Sequence, residues 1–164
     1  MTTAVCPGSF DPVTVGHLDI VTRAANIFDR VIILVLTNPA KQPVFSEQKR
    51  VELLKRVTTQ FGKVEIDTYN GLLADYCKQK QATVIVKGLR AMSDFEYEFQ
   101  QALTNKKLNP GTDTVFLTTS AENMYLSSSV IRNIASLGGD ISDFVPGAIA
   151  ADILNQFKQE REDQ

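Results

Sequence analysis

The sequence predicts an α/β protein with a single Rossmann-like, doubly wound sheet of five parallel strands and flanking helices. Short β-branched, apolar runs alternate with amphipathic stretches of helical periodicity along the 164 residues. Most of these runs lack polar alternation, which is typical of parallel strands covered on both faces. The length favours one domain. We expect that domain over residues 1–158, followed by a charged, frayed C-terminal tail over 159–164.

The five predicted strands are Ala4–Cys6, Val31–Leu36, Val64–Asp67, Val84–Val86 and Val115–Leu117. The alternation of strands and helices implies parallel pairing through crossover connections. Ligands of such sheets bind beyond the carboxyl ends of the strands. The functional residues are therefore expected in the loops that follow these five runs.

The predicted helices fill the intervals between the strands and the end of the chain. Their sequence signals are helical spacing of apolar residues, N-cap side chains and glycines at the ends. They comprise Leu18–Phe28, a helix capped by Ser46, Leu72–Gln81, Asp94–Leu108 with Asp94 as its cap, a helix from Ser127–Ser129 to Gly138-Gly139, and Phe144–Phe157.

Composition excludes several classes of function. The chain has 17 Lys and Arg against 19 Asp and Glu, a net charge of −2, so it is a poor candidate for coating nucleic acid by bulk charge. One His and two Cys cannot build a His-rich or Cys₄ metal site. The N-terminus has no signal-peptide pattern and no apolar run is long enough for a membrane span, so we expect a reducing cytoplasm.

The loop after the first strand combines features of an anion site. Gly8 and Gly16 permit close approach of backbone to ligand, and Ser9 offers a hydroxyl. The first turn of the next helix carries His17, where backbone N–H groups favour anions. A lone histidine is more often a surface residue with a local hydrogen bond, but its place in this loop favours function. The GxxxxGK[ST] and GxGxxG phosphate motifs are absent.

Other strand-end loops carry cations and hydroxyls. Lys41 follows the second strand, where a single lysine is more often only solvated. The fourth strand ends in Lys87-Gly88-Leu89-Arg90, whose glycine exposes backbone beside two cations. After the fifth strand come Ser127–Ser129 and Arg132, which could cap a helix or bind phosphate oxygens.

The segment from Ala4 to His17 resembles the TxGH signature of the nucleotidyltransferase superfamily. With Lys87–Ala91, Asp94–Glu98 and Ser127–Ser129, it is similar to the bacterial phosphopantetheine adenylyltransferases from Ala4 to about Phe157. The resemblance implies transfer of AMP from ATP to 4′-phosphopantetheine, giving dephospho-coenzyme A and pyrophosphate by in-line attack. It also implies Mg²⁺ held mainly by ligand phosphates, a homohexamer, and coenzyme A as feedback inhibitor.

The same resemblance implies roles for individual residues. His17, Lys41 and Arg90 would be catalytic, and Ser9, Lys41, Leu73 and Lys87 would bind the acceptor. The residues implied for ATP are Ser9, Phe10, His17, Gly88, Leu89, Arg90, Glu98, Asn123, Met124, Tyr125, Leu126, Ser127, Ser128 and Ser129. Lys87 stands where the family usually has Arg, which keeps the charge but loses the planar bidentate fork.

Charge repulsion explains why such a reaction needs cations. Two like charges 4 Å apart cost about 4 kcal/mol at an effective dielectric constant of 20. A helix terminus supplies only about 0.3–1 kcal/mol. Lysine, arginine, histidine and magnesium must supply the remaining stabilisation of the two anions.

Two alternative functions stay open: a related nucleotidyltransferase acting on nicotinamide mononucleotide or glycerol 3-phosphate, and a non-catalytic nucleotide or coenzyme A-binding module.

Overall fold

The computed structural model describes residues 1–37 and 42–162 of the chain. Its strands are β1 (Thr3–Gly8), β2 (Arg30–Leu36), β3 (Val64–Tyr69), β4 (Val84–Leu89) and β5 (Asp113–Thr118). They form one parallel sheet in the order β3-β2-β1-β4-β5, which confirms the predicted fold class.

The helices are α1 (Val15–Ile27), α2 (Glu47–Val57), α3 (Leu73–Gln79), α4 (Met92–Leu108), α5 (Ser128–Ser136) and α6 (Gly147–Glu162). Ser46 and Ser127 cap α2 and α5 as predicted, each accepting a backbone N–H bond three residues on. The prediction for Asp94 is wrong: Ala91 is the N-cap of α4, and the Asp94 carboxylate instead pairs with Arg90.

The last helix also differs from its predicted bounds. It begins at Gly147 because Phe144 belongs to a preceding turn, in which its N–H donates to the carbonyl of Ile141. Pro146 then separates turn and helix, since proline lacks an N–H and suits the edge of a helix. The helix continues to Glu162 and so includes most of the segment predicted as a tail.

Alternate residues of β2 divide the core into two layers. Ile33 and Val35 pack in a cluster with Leu53 and Leu54 of α2 and with residues of α5 and α6. On the opposite face, Ile32 and Leu34 share a cluster with side chains of α3. Helices thus cover both faces of the sheet, which explains why β2 is apolar from Val31 to Leu36.

The strand order reverses between β1 and β4, and there the two strands separate. β1 pairs with β2 over six residues, to Gly8, but with β4 only at Ala4 and Val5. Beyond Ile85 the carboxyl ends diverge and leave room between them. This is the switch point at which doubly wound sheets bind ligands.

Across the described residues, no helix has the length and apolarity that a membrane crossing requires.

Candidate active site

A cavity of about 260 Å³ opens where β1 and β4 diverge. Its walls come from the end of each strand, from the start of α1 and α5, and from α4. Among the lining residues are Phe10, His17, Lys87, Gly88, Arg90, Glu98, Asn123, Leu126, Ser127 and Ser128. The structure therefore brings together ten of the residues that the resemblance assigns to ligands.

Gly88 allows the wall of this cavity to close. A Cβ atom placed on Gly88 would lie 2.9 Å from Cγ1 of Ile20, which is too close for packed carbon atoms. The absence of a side chain lets β4 approach α1 at the switch point. It also leaves the backbone of this strand end accessible from the cavity.

His17 is fixed by the N-terminal cap of α1. The backbone N–H of His17 donates to the Thr14 hydroxyl at 3.1 Å. In return, the backbone N–H of Thr14 donates to His17 Nδ1 at 3.0 Å, which completes a capping box. Because Nδ1 accepts this bond, the proton of the neutral ring belongs on Nε2. The Phe10 ring packs edge-on against the imidazole, with centroids 5.0 Å apart.

The environment of His17 favours the neutral imidazole. Burial, and secondarily the positive charge of Arg90, lower the pKa of His17 from 6.5 to about 4. At neutral pH the side chain therefore offers a hydrogen-bond donor rather than a positive charge. The local hydrogen bond expected of an ordinary helix-surface histidine is present here, but it serves to orient a ring that lines the cavity.

Two cations at the end of β4 have different partners. Lys87 Nζ lies 3.2 Å from Glu98 Oε2, a buried atom that accepts no hydrogen bond of good geometry from the described residues. Arg90 donates from Nη1 to the Leu126 carbonyl at 2.9 Å and from Nε to Asp94 at 3.3 Å. Arg90 thus ties β4 to the segment before α5.

A second cavity of about 260 Å³ adjoins the first, with Phe10, His17 and Ser128 lining both. Ser9, Ser129, Arg50 and Arg132 also line it, among other residues. Arg132 donates from Nη1 to the Asp11 carbonyl at 2.6 Å and from Nη2 to the Ser129 hydroxyl at 3.2 Å. The first contact fastens α5 to the first loop, and the second holds the guanidinium within the helix.

The start of α5 presents hydroxyls and backbone donors to both cavities. The Ser127 hydroxyl accepts from the N–H of Val130, and the Ser128 hydroxyl donates to the Pro12 carbonyl at 2.8 Å. Ser127 is therefore occupied as the cap, as the simpler interpretation of the serine cluster predicted. The free N–H groups of the first turn still make this end of α5 attractive to anions.

Some predicted site residues lie elsewhere. Met124 and Tyr125 are exposed, and neither they nor Leu89 line either of these two cavities. Leu73 begins α3 and packs against the core cluster of that face. Lys41 lies outside the described residues.

Sequence reasoning missed three residues that shape the site. Thr14 supplies the cap that orients His17, and Asp11 accepts from the backbone N–H groups of Val44 and Phe45 at 2.9 Å. Arg50 occupies a core-facing position of α2, three and four residues before Leu53 and Leu54. The sequence signal that could have identified Arg50 is a positively charged residue at a position where the helical spacing predicts an apolar one.

The described residues contain no group of three or more His, Cys, Asp or Glu side chains arranged for a metal ion. Glu98 faces Lys87, and both carboxylate oxygens of Asp11 accept backbone N–H bonds. Cys6 lines the first cavity, but burial raises the pKa of its thiol to about 12, so it stays protonated. The site therefore offers hydrogen-bond donors and cations rather than a metal-ligand set.

Comparison with known proteins extends these observations. The cytidylyltransferase-like family matches residues 5–134. A phosphopantetheine adenylyltransferase of Caldanaerobacter subterraneus subsp. tengcongensis is 55% identical over 159 residues, 97% of this chain and 99% of the relative. One of Clostridium botulinum strain Hall is 51% identical over 162 residues, 99% of both chains. In fold, the chain is similar to the solved structure of Plasmodium falciparum nicotinic acid mononucleotide adenylyltransferase complexed with NaAD. The TM-score is 0.69 and the sequence identity 12%, and the match covers 98% of this chain and 96% of that one.

Proposed function

Because the chain belongs to the cytidylyltransferase-like family and, within it, to the phosphopantetheine adenylyltransferases, we propose that it transfers AMP from ATP to 4′-phosphopantetheine. The products are dephospho-coenzyme A and pyrophosphate, in the penultimate step of coenzyme A synthesis. The observation that carries the proposal is the neutral His17, held by Thr14 at the switch point between cations and a helix N-terminus.

The reaction requires positioning more than covalent chemistry. An oxygen of the acceptor phosphate attacks the α-phosphorus of ATP in line with the bond to the β-phosphate. As the new P–O bond forms, the old one breaks, and its electron pair leaves with pyrophosphate. The substrate supplies the nucleophile, so no serine or cysteine of the chain is needed. The protein holds two anions together and stabilises the charge that develops at the α-phosphate.

His17 is suited to that stabilisation. With Nδ1 accepting from Thr14, the Nε2–H is the donor available to a non-bridging oxygen of the α-phosphate. A donor of this kind is worth about 2.7–4 kcal/mol in the transition state. A ring that is already oriented by a cap and by Phe10 loses little conformational freedom when the substrate binds.

The cations offset the repulsion between the substrates. Arg90 would meet the triphosphate and Lys87 the acceptor phosphate, since both line the first cavity. Lys41 would contribute to both, as the family resemblance implies. Each close anion pair costs about 4 kcal/mol at an effective dielectric constant of 20, so several cations are required. The Lys87–Glu98 ion pair supports this assignment, because it keeps the lysine at the cavity wall until a phosphate competes for it.

Magnesium would bind to this site as its complex with ATP. The carboxylates near the cavities are already engaged by Lys87 or by backbone N–H groups, so they do not form a site for a resident ion. Mg²⁺ prefers phosphate oxygens and water when few carboxylates are offered. We therefore treat the magnesium–ATP complex as the substrate.

The decisive experiment measures pyrophosphate release by the purified protein with ATP and 4′-phosphopantetheine. Parallel reactions contain nicotinamide mononucleotide or glycerol 3-phosphate as acceptor. We expect release with 4′-phosphopantetheine at a kcat/KM at least 100-fold above the others. Release with another acceptor would identify a different transferase, and ATP binding without release would identify a non-catalytic module.

The chain is also proposed to self-associate through α4, with a homohexamer implied by the family resemblance. No residue of this 17-residue helix is fully buried, and its exposed apolar residues include Met92, Tyr97, Phe99, Leu103 and Leu108. An apolar surface of this kind is typical of an interface. Light scattering after size exclusion should give a hexamer for the wild type and smaller species for Leu103→Glu.

Two further proposals concern regulation and location. Coenzyme A shares the pantetheine moiety of the acceptor, so we expect it to inhibit by competing for the acceptor subsite. Inhibition that 4′-phosphopantetheine does not relieve would contradict this. A cytoplasmic location is supported by the buried, unpaired thiols of Cys6 and Cys77.

A further inference from the structure

Arg50 is a buried cation in a position suited to an apolar residue. Its side chain is 3% exposed and lies on the face of α2 that also carries the buried Leu53, Leu54 and Val57. Arginine is almost never this buried without a carboxylate partner. Within residues 1–37 and 42–162, Arg50 forms no ion pair. Burying its charge without an ion pair costs free energy, so we expect Arg50 to have a function at this position.

The contacts of Arg50 point to the first loop. Its Nη1 donates to the Ser9 carbonyl at 2.8 Å, whereas its Nε is buried and has no hydrogen-bond partner among residues 1–37 and 42–162. The side chain also lines the second cavity, together with Ser9 and His17. Among the described residues, the one side-chain hydrogen bond of Arg50 is thus to a residue of the candidate site, 41 positions away in sequence.

The loop that Arg50 contacts has an unfavourable backbone conformation. Phe10 has a φ of 48°, in the left-handed region that residues with a side chain seldom adopt. Such conformations persist only where neighbouring groups hold them. Here one arginine binds the carbonyl on each side: Arg50 that of Ser9, and Arg132 that of Asp11. The ring held between them packs against His17, 5.0 Å away.

We propose that Arg50 is a positioning residue: by holding the Ser9 carbonyl, it fixes Phe10 against His17 and so orients the imidazole. Arg50 acts through the loop and does not touch the reacting atoms. The inference rests on the proposed function for its kinetic test only. The orientation of the single histidine can be followed spectroscopically in any case.

The test compares Arg50→Met, Arg50→Lys and a control from the same helix, Arg56→Met. Arg56 contacts Asp152 and the Ala148 carbonyl on α6 and lines neither of the two cavities at the candidate site. Each purified variant is assayed well below its Tm for kcat, for KM of ATP, and for the ¹H–¹³C signals of the His17 ring. Misplacing a catalytic group by about 1 Å can cost on the order of 10²-fold.

We expect Arg50→Met to lower kcat at least about tenfold, with KM for ATP within about threefold, and to shift the imidazole signals. Arg50→Lys should recover part of kcat, since it keeps a donor. Arg56→Met should lower Tm while kcat and the imidazole signals stay at wild-type values.

Unchanged kcat and unchanged imidazole signals in folded Arg50→Met would overturn the proposal. If that variant does not fold, Arg50→Lys decides by the same two readouts, with an intermediate kcat and shifted signals expected. If the wild type releases no pyrophosphate, the proposed function fails, and the imidazole signals alone decide whether Arg50 positions His17.

Discussion

The imidazole of His17 should titrate with a pKa of about 4, far below the usual 6.5. Burial is the main cause, because it disfavours the charged ring, and Arg90 adds repulsion between positive charges. The chain has a single histidine, so its ring signals in a ¹H–¹³C spectrum need no further assignment. Replacing Arg90 by Gln should raise this pKa but not restore 6.5, since burial remains.

The same shift predicts a pH dependence of stability. Between pH 6.5 and 4 the unfolded chain binds a proton at His17 that the folded chain does not. The free energy of unfolding should therefore fall as pH falls through this range and be independent of His17 above it. A pKa lowered from 6.5 to about 4 corresponds to a loss of about 3 kcal/mol, at 1.36 kcal/mol per pH unit.

Urea unfolding at pH 7, 5.5 and 4.5, with wild type and His17→Gln, measures that loss. Carboxylates also change stability over this range, but they do so in both proteins. The difference between them isolates the histidine. We expect the wild type to lose more stability than His17→Gln, by roughly 2–2.5 kcal/mol at pH 4.5. A measured pKa of 6 or higher, with parallel stability curves, would refute the reasoning.

Three further outcomes are expected. His17→Ala should fold but lose at least roughly 10²-fold in kcat, because a transition-state donor is gone; near-wild-type turnover would exclude that role. Lys87→Arg should keep or lower the KM for 4′-phosphopantetheine, because a guanidinium can contact both Glu98 and a phosphate. A clear rise in this KM would show that lysine is adapted to the site. EDTA should abolish pyrophosphate release and leave Tm unchanged, because the metal enters with ATP; a fall in Tm would instead indicate a resident structural ion.

Periodicity predicted the sheet and its helices because burial dictates both patterns. The apolar runs at Val31–Leu36 and Val84–Val86 lie within β2 and β4, and Ser46 caps the helix that it was expected to begin. Ligands of doubly wound sheets bind beyond the carboxyl ends of the strands, and the first cavity lies at that edge, where the strand order reverses between β1 and β4. The comparisons with relatives confirm the family that the TxGH signature and the Lys87–Ala91 segment suggested.

Details that depend on tertiary contacts were beyond these patterns. Asp94 was expected to cap α4, but Arg90 draws its carboxylate away, and a competing ion pair is not visible in spacing. The neutral state of His17 follows from burial among residues far apart in sequence. Arg50 was overlooked because a charged residue on an apolar helix face becomes meaningful only once its partner, the Ser9 carbonyl, is located.

The long sequence separation of the contacts around the first loop has a consequence for biosynthesis. The bond from Arg132 to the Asp11 carbonyl spans 121 positions, and the bond from Ser128 to the Pro12 carbonyl spans 116. At ribosomal rates of roughly 5–20 residues per second, the loop is translated on the order of ten seconds before the residues that fasten it. A nascent chain therefore carries its histidine long before it has a working site, and adenylyl transfer begins only when α5 has left the ribosome and docked.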